Sequence, residues 1–151
     1  MSEPVALWTA CVAAPAEAPG VRARRFEYSS RGDRVPGLLL LPAEGDGPFP
    51  LVLLQHGAGG SKRSDYLDAA RLPWVQRGVA VASIDFPLHG ERASAKLSEQ
   101  LLAATVNSVR SAHADTIALW SEFSRQAIAD LGRALDALTE IPALDAERIA
   151  Y

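Results

Sequence analysis

The sequence predicts an α/β fold with a mostly parallel sheet, an antiparallel N-terminal hairpin and flanking helices. Two uncharged runs, residues 50–55 and 79–84, are typical of buried strands, the first of them buried on both faces. The segment between them has helical character. Consecutive buried strands joined by a helix pair in parallel through a right-handed crossover. The first third of the chain is divided by proline and glycine into pieces too short for helices, so strands and turns are expected there.

The hairpin is predicted from two neighbouring segments. Residues 24–29 alternate basic, apolar and polar side chains, and residues 37–41 form an apolar run. The turn-like sequence at 30–33 lies between them, which favours an antiparallel pair. A loop at 43–47 then leads to the strand that begins at Leu51.

A helix is expected after the first buried strand and its glycine-rich loop. Ser64 or Asp65 is suited to cap its start, and Arg77-Gly78 to close it. Its apolar side would be formed by Tyr66, Leu67, Ala70 and Leu72. Because proline lacks an N–H and clashes with the preceding turn, we expect a kink or a new helical start at Pro73.

The segment 93–140 contains no proline and is compatible with helix almost throughout. An apolar stripe at three- and four-residue steps predicts that its second half packs on a sheet. The stripe consists of Trp120, Phe123, Ala127, Leu131, Leu135 and Leu138. Ile141-Pro142 ends the helix, and residues 147–151 predict the start of another strand.

The composition and charge of the chain disfavour several classes of binding partner. A chain of 151 residues fits one domain, and its net charge of −3 without a basic stripe disfavours nucleic acid. The single cysteine, Cys11, excludes an intrachain disulfide, and the absence of Cys/His clusters predicts no metal and no cofactor. No secretion signal or apolar stretch of about 18 residues is present, so we expect a cytoplasmic location and no membrane contact.

The loop His56–Lys62 is the leading candidate site. Its glycines expose backbone N–H groups at the carboxyl end of a buried strand, where ligands bind in open sheets. Such donors can hold the negative oxygen of an acyl-transfer intermediate, although an ordinary strand-to-helix turn is the alternative. A phosphate loop is disfavoured, because Ser61 and Arg63 stand where glycine and Ser/Thr are required.

A second candidate is the loop after the second buried strand, which contains Asp85, His89 and Glu91. A histidine near carboxylates could form an acid–base site. The interpretation we adopt is a cluster that stabilises the loop.

Four segments, in this order along the chain, resemble the N-terminal half of an α/β-hydrolase of the dienelactone-hydrolase and small bacterial esterase type. They are the strand and loop 51–62, the strand 78–85 with its Asp-x-Pro-x-His-Gly exit, the helix ending near Leu138, and the Asp-x-x-Arg-Ile sequence at 145–149. The resemblance covers residues 24–151, leaves 1–23 as an N-terminal extension, and sets 93–118 apart as a candidate lid-like helical insertion. An extension of the following helix is the equal alternative for 93–118.

The resemblance implies a serine-dependent hydrolase of a carboxylic ester or related acyl compound. The backbone N–H of Ala58 would be an oxyanion donor, with His56, Gly57 and Gly59 shaping the loop and His89 in the pocket wall. No Gly-x-Ser-x-Gly motif occurs, so no residue of the catalytic triad is identifiable. The nucleophile is therefore expected beyond the C-terminus of this chain.

The resemblance implies two partners, a small acyl substrate and the missing C-terminal half of the hydrolase. The chain alone is expected to be inactive. The alternatives are a fragment of a peptidase of the prolyl-oligopeptidase type, and a non-catalytic binding or assembly module with the same sheet.

Overall fold

The computed structural model describes residues 6–14, 18–106 and 114–151, apart from the side chain of Val106. It contains one six-stranded sheet in the order β1-β2-β3-β5-β4-β6. The strands are β1 Trp8–Val12, β2 Val21–Ser30, β3 Asp33–Pro42, β4 Phe49–Leu53, β5 Ala80–Ile84 and β6 Leu144–Ala150. The helices are α1 Asp65–Val75, α2 Ala95–Val106 and α3 Ala114–Thr139, with a single 3₁₀ turn at Gly90–Arg92.

The predicted hairpin is confirmed as β2 and β3, which pair antiparallel from Val21 opposite Pro42 to Ser30 opposite Asp33. Its two-residue turn has positive φ at both positions, a conformation that matches the twist of the flanking strands. β1 pairs antiparallel with β2. The expected N-terminal extension at 1–23 therefore contains a strand of the sheet. It pairs with β2 because the edge of this ten-residue strand presents a row of backbone N–H and C=O groups.

The parallel part of the sheet places β4 between β5 and β6. β5 pairs antiparallel with β3, so the hairpin and the parallel strands form one continuous sheet. The α/β class and the helical crossover from β4 to β5 are confirmed. Since β4 and β5 run in the same direction, the loops that follow them meet at one edge of the sheet.

The burial of β4, the first of the two uncharged runs, differs from expectation. Leu51 and Leu53 are fully buried, but Val52 between them is only half-buried, so β4 is not buried on both faces. The reason is the position of α1, which packs over β3 and β5.

The side of α1 that is buried differs from the predicted apolar side. The helix buries Leu67, Arg71 and Val75, which lie four residues apart, whereas Tyr66 is half-exposed. The helix also continues across Pro73 to Val75 instead of restarting there. Proline near the end of a helix removes only one hydrogen bond, and this accounts for its tolerance.

The second half of α3 packs against the hydrophobic core of the sheet, as predicted. Its buried residues are Gln126, Ala127, Asp130, Ala134, Ala137 and Leu138. Leu135 is 36% exposed, so the predicted stripe is wrong at this position, and the fully buried Asp130 was not expected in the core. Residues 107–113 of the candidate lid at 93–118 lie outside the described residues, so the lid stays a prediction.

Candidate functional site

The loops that follow β4 and β5 line a partly open cavity of about 160 Å³. α2 and the N-terminal half of α3 supply its other walls. The lining residues are His56, Gly57, Ala58, Phe86, His89, Leu101, Leu102, Thr105, Trp120 and Phe123. Of the predicted site residues, four lie in this lining, while Gly59 lies beside it in a left-handed conformation with φ of 75°.

Most backbone N–H groups of the loop already have intramolecular acceptors. The Gly57 N–H donates to the Tyr66 hydroxyl at 2.8 Å, and the Gly60 N–H donates to the Gly57 carbonyl at 3.1 Å. The Ser61 N–H donates to Ser64 Oγ at 2.9 Å, and the Lys62 N–H donates to Asp85 Oδ1 at 2.8 Å. Within the described part of the chain, the N–H groups of His56, Ala58 and Gly59 have no such acceptor. Ala58 lines the cavity, and its N–H has no hydrogen-bond acceptor among the described residues.

His56 fixes the peptide that carries this donor. The ring is 4% exposed, and its Nε2 accepts a hydrogen bond from the Phe86 N–H at 3.1 Å. Nδ1 therefore carries the proton and donates it to the Gly57 carbonyl at 2.8 Å. In a trans peptide the C=O and the next N–H point in opposite directions, so holding the Gly57 oxygen also orients the Ala58 N–H.

The environment of His56 keeps the ring neutral. Burial lowers the pKa of His56 below its ordinary value of 6.5, and this outweighs the opposing effect of its bond to the Gly57 carbonyl. Because both ring nitrogens are engaged, neither is available to abstract a proton from a substrate. The predicted role of His56 in shaping the loop fits this arrangement.

His89 belongs to an aromatic group in the cavity wall. Its Nδ1 lies 2.8 Å from the Pro87 carbonyl, and its ring centroid lies 5.0 Å from that of His56 and 5.8 Å from that of Phe123. In the described part of the chain it forms no hydrogen bond with Asp85 or Glu91. Asp85 and Glu91 do form a cluster that stabilises the loop. The predicted membership of His89 in it is wrong, because a lysine occupies the place expected for the histidine.

Lys62 is that residue, and it forms a buried ion pair between the two loops. Its ammonium Nζ lies 2.6 Å from Asp85 Oδ2 and 2.6 Å from Glu91 Oε1. The Lys62 side chain is 2% exposed and that of Asp85 is fully buried. Asp85 also accepts hydrogen bonds from the backbone N–H groups of Lys62 and Glu91, at 2.8 and 3.0 Å. Three donor groups on two loops thus make four hydrogen bonds to neighbouring carboxylates.

The Asp85 carboxylate leaves no space for a side chain at Gly90. A Cβ at that position would lie 2.3 Å from Asp85 Cγ, and φ of Gly90 is +53°. Sequence reasoning missed the Lys62–Asp85 pair because lysine is almost never fully buried unless it is paired. The available signal was Asp85 itself, since an acid directly after a buried strand requires a partner.

A second buried pair attaches α3 to the same loop. Arg92 Nη1 lies 2.6 Å from Oδ2 of Asp130, whose side chain is fully buried. The same nitrogen donates to the Asp85 backbone carbonyl at 3.1 Å. Gln126 donates to Asp130 Oδ1 and the Tyr28 hydroxyl to the Asp130 carbonyl, each at 2.7 Å. These contacts account for the polar residues in the core face of α3.

The outer end of the Lys62 network reaches β2. Arg25 donates to both carboxylate oxygens of Glu91, at 2.9 and 2.7 Å. Burial raises the pKa of Glu91, but the hydrogen bonds from Arg25 and Lys62 outweigh it and lower the pKa from 4.5 to about 2. Glu91 is therefore ionised in the folded protein well below its ordinary titration range.

Replacing Glu91 with glutamine should flatten the dependence of stability on acid pH. Between pH 4.5 and about 2 the folded wild type binds fewer protons at this carboxyl than the unfolded chain does, so its stability falls as the pH drops. The difference in unfolding free energy between wild type and Glu91→Gln should shrink through this window, as urea titrations at a series of pH values would show. A constant difference would contradict the assigned ionisation.

The described residues contain no group of three or more His, Cys, Asp or Glu side chains that could hold a metal ion. Among the same residues, no helix is both long enough and apolar enough to span a bilayer.

The family model and a curated relative indicate the same family. The family model described as "Esterase FrsA-like" matches residues 9–150. Esterase FrsA of Escherichia fergusonii is 34% identical over 77 residues, which are 50% of this chain and 18% of that protein.

Two solved structures show the same architecture. The PEG-bound cold-adapted esterase from an Arctic intertidal metagenomic library aligns with a TM-score of 0.60 and 30% identity, over 81% of this chain and 46% of that one. The acetyl xylan esterase from Paenibacillus sp. R4 aligns with a TM-score of 0.70 over 99% of this chain and 46% of that one; at 19% identity it supports the fold alone.

The chain spans less than half the length of these relatives. The family model nevertheless extends over nearly all of its residues. With its α/β-hydrolase sheet and this match, the chain belongs to the FrsA-like esterase family.

Proposed function

We propose that this chain supplies the oxyanion loop and the acyl pocket of a serine-dependent carboxylic ester hydrolase whose nucleophile lies beyond residue 151. The observation that carries the proposal is the Ala58 N–H, an unpaired donor in the wall of a largely apolar cavity at the carboxyl end of a parallel strand. Ligands bind at this edge of open α/β sheets.

In ester hydrolysis the Ala58 N–H would stabilise the negative charge of the transition state. When a serine oxygen attacks an ester carbonyl, the C=O double bond becomes a single bond to a negatively charged oxygen. A preorganised N–H stabilises this charge without reorganising, because His56 has already oriented the peptide. The second donor would be the N–H of the residue after the nucleophile, as in other α/β-hydrolases.

The cavity suits a small apolar acyl group. Phe86, Leu101, Leu102, Trp120 and Phe123 provide most of its surface. A dry cavity of about 150 Å³ holds benzene, so a volume of about 160 Å³ would admit an acyl chain of roughly six carbon atoms. We therefore propose esters of short or medium acyl chains as substrates.

The completing partner in this proposal is the C-terminal half of the same hydrolase. β6 is an edge strand of the described sheet, and it pairs only with β4 among the described strands. An edge strand presents unpaired backbone groups that a further parallel strand could bind.

A fluorophosphonate probe tests the proposal directly. The complete encoded polypeptide should be labelled at one serine outside residues 1–151 and should hydrolyse p-nitrophenyl butyrate. The chain 1–151 alone should remain unlabelled and inactive. Faster cleavage of a proline-containing peptide anilide than of the ester would favour the peptidase alternative instead.

Two results would overturn the proposal. One is an unlabelled complete polypeptide that is folded, which would favour a non-catalytic binding module. The other is labelling of a serine within residues 1–151, which would place the nucleophile inside this chain.

A further inference from the structure

We infer that Tyr66 is a positioning residue that holds the oxyanion loop in its active geometry through the Gly57 N–H. The inference rests on the proposed function of the Ala58 N–H. It assigns a specific task to an exposed tyrosine of α1 that lines no part of the cavity.

The geometry concerns the two peptide groups on either side of Gly57. The Gly57 N–H donates to the Tyr66 hydroxyl at 2.8 Å, and the Gly57 carbonyl accepts from His56 Nδ1 at 2.8 Å. Glycine has the widest backbone freedom of any residue, so this position would otherwise sample many orientations. Tyr66 holds one peptide plane and His56 holds the next, and together they restrict both backbone torsions of Gly57.

The loop is also packed closely around the phenol oxygen. A Cβ at Gly60 would lie 2.5 Å from the Tyr66 hydroxyl and 3.1 Å from the Gly57 carbonyl. The turn closed by the Gly60 N–H and the Gly57 carbonyl therefore lies directly against Tyr66. The absence of a side chain at Gly60 permits this close approach.

The position of Tyr66 separates a role in the loop from a role in folding. Its side chain is 54% exposed, and the core side of α1 is formed by Leu67, Arg71 and Val75. Removing one hydroxyl from an exposed ring leaves this packing unchanged. Trp74, 51% exposed on the same helix, provides a matched control position.

The experiment compares Tyr66→Phe with Trp74→Phe in the complete polypeptide. Tyr66→Phe should lower kcat for p-nitrophenyl butyrate by roughly 3- to 10-fold, the range expected for one hydrogen bond, and change KM by less than about 2-fold. Trp74→Phe should leave both constants unchanged. A loss confined to kcat is expected because the substrate still enters the same cavity, whereas the oxyanion donor is less well oriented.

Amide hydrogen exchange, followed by NMR on the same variants, provides a readout that is independent of activity. The Gly57 amide should exchange at least about 3-fold faster in Tyr66→Phe than in wild type, because its hydrogen-bond acceptor is gone. Amides of α1 should be unaffected. A second variant, Gly60→Ala, should displace the hydroxyl sterically and raise Gly57 exchange in the same way.

The outcomes distinguish this inference from the proposed function. An active wild type with an unchanged kcat in Tyr66→Phe would overturn the role of Tyr66 while leaving the esterase proposal intact. An inactive wild type would defeat the esterase proposal and with it the role of Tyr66 in activity, even if Gly57 exchange responded. Equal losses in Tyr66→Phe and Trp74→Phe would also overturn the inference, since they would indicate a general effect on α1.

Discussion

Replacing Asp85 with alanine is expected to destabilise the protein by about 3–5 kcal/mol, the usual cost of removing one partner from a buried ion pair. Lys62, 2% exposed, would keep only the partly exposed Glu91 as a counter-ion. The backbone N–H groups of Lys62 and Glu91 would also lose their acceptor. Urea unfolding, monitored by tryptophan fluorescence, measures the change.

Two further variants separate the buried charge from other effects of the substitution. Lys62→Met combined with Asp85→Leu replaces both charges by apolar groups and should cost less than Asp85→Ala alone. Glu122→Gln breaks a surface pair in which both side chains are about half exposed and should change stability by less than about 1 kcal/mol. A loss in Asp85→Ala no larger than that in Glu122→Gln would refute the structural role of the pair.

Under the proposed function, replacing Ala58 with proline should lower kcat of the complete polypeptide by about 10²- to 10³-fold, which corresponds to about 2.7–4 kcal/mol for one oxyanion donor. Proline removes the N–H, and within the described part of the chain this group donates no hydrogen bond. The substitution therefore breaks no intramolecular bond of that donor, so the loss should appear in activity far more than in stability.

The matched control is Ala58→Gly, which keeps the N–H and removes only a methyl group. It should retain activity within about 10-fold of wild type, because the donor is still present although the loop has more backbone freedom. Steady-state kinetics and thermal unfolding of both variants make the comparison. Equal kcat values for the proline and glycine variants would mean that the Ala58 N–H does not contact the developing charge.

Stability and the geometry of the site are linked through the same residues. Lys62 ends the loop His56–Lys62, and its backbone and side chain both bind Asp85 on the neighbouring loop. His56 spans the same two loops through Phe86 and Gly57. Variants that weaken these contacts should therefore be compared at temperatures well below their unfolding transitions.

The features that depend on short-range pattern could be predicted from the amino-acid order. Apolar runs located β4 and β5, and the segment 30–33 located the hairpin turn, because strand burial and turn conformation depend on adjacent residues. The glycines after β4 identified the loop that contains Ala58, a residue that lines the cavity.

The partners of the buried polar groups were decided only by the tertiary structure. Lys62 and Asp85 are 23 residues apart and Arg92 and Asp130 are 38 apart, so no local pattern indicates that they meet. Charged residues at these positions are ordinarily assigned to solvent, and pairing across the fold is what permits their burial. The contact of Tyr66 with Gly57 is of the same kind, because a hydrogen bond between a helix and a loop depends on how the two pack in space.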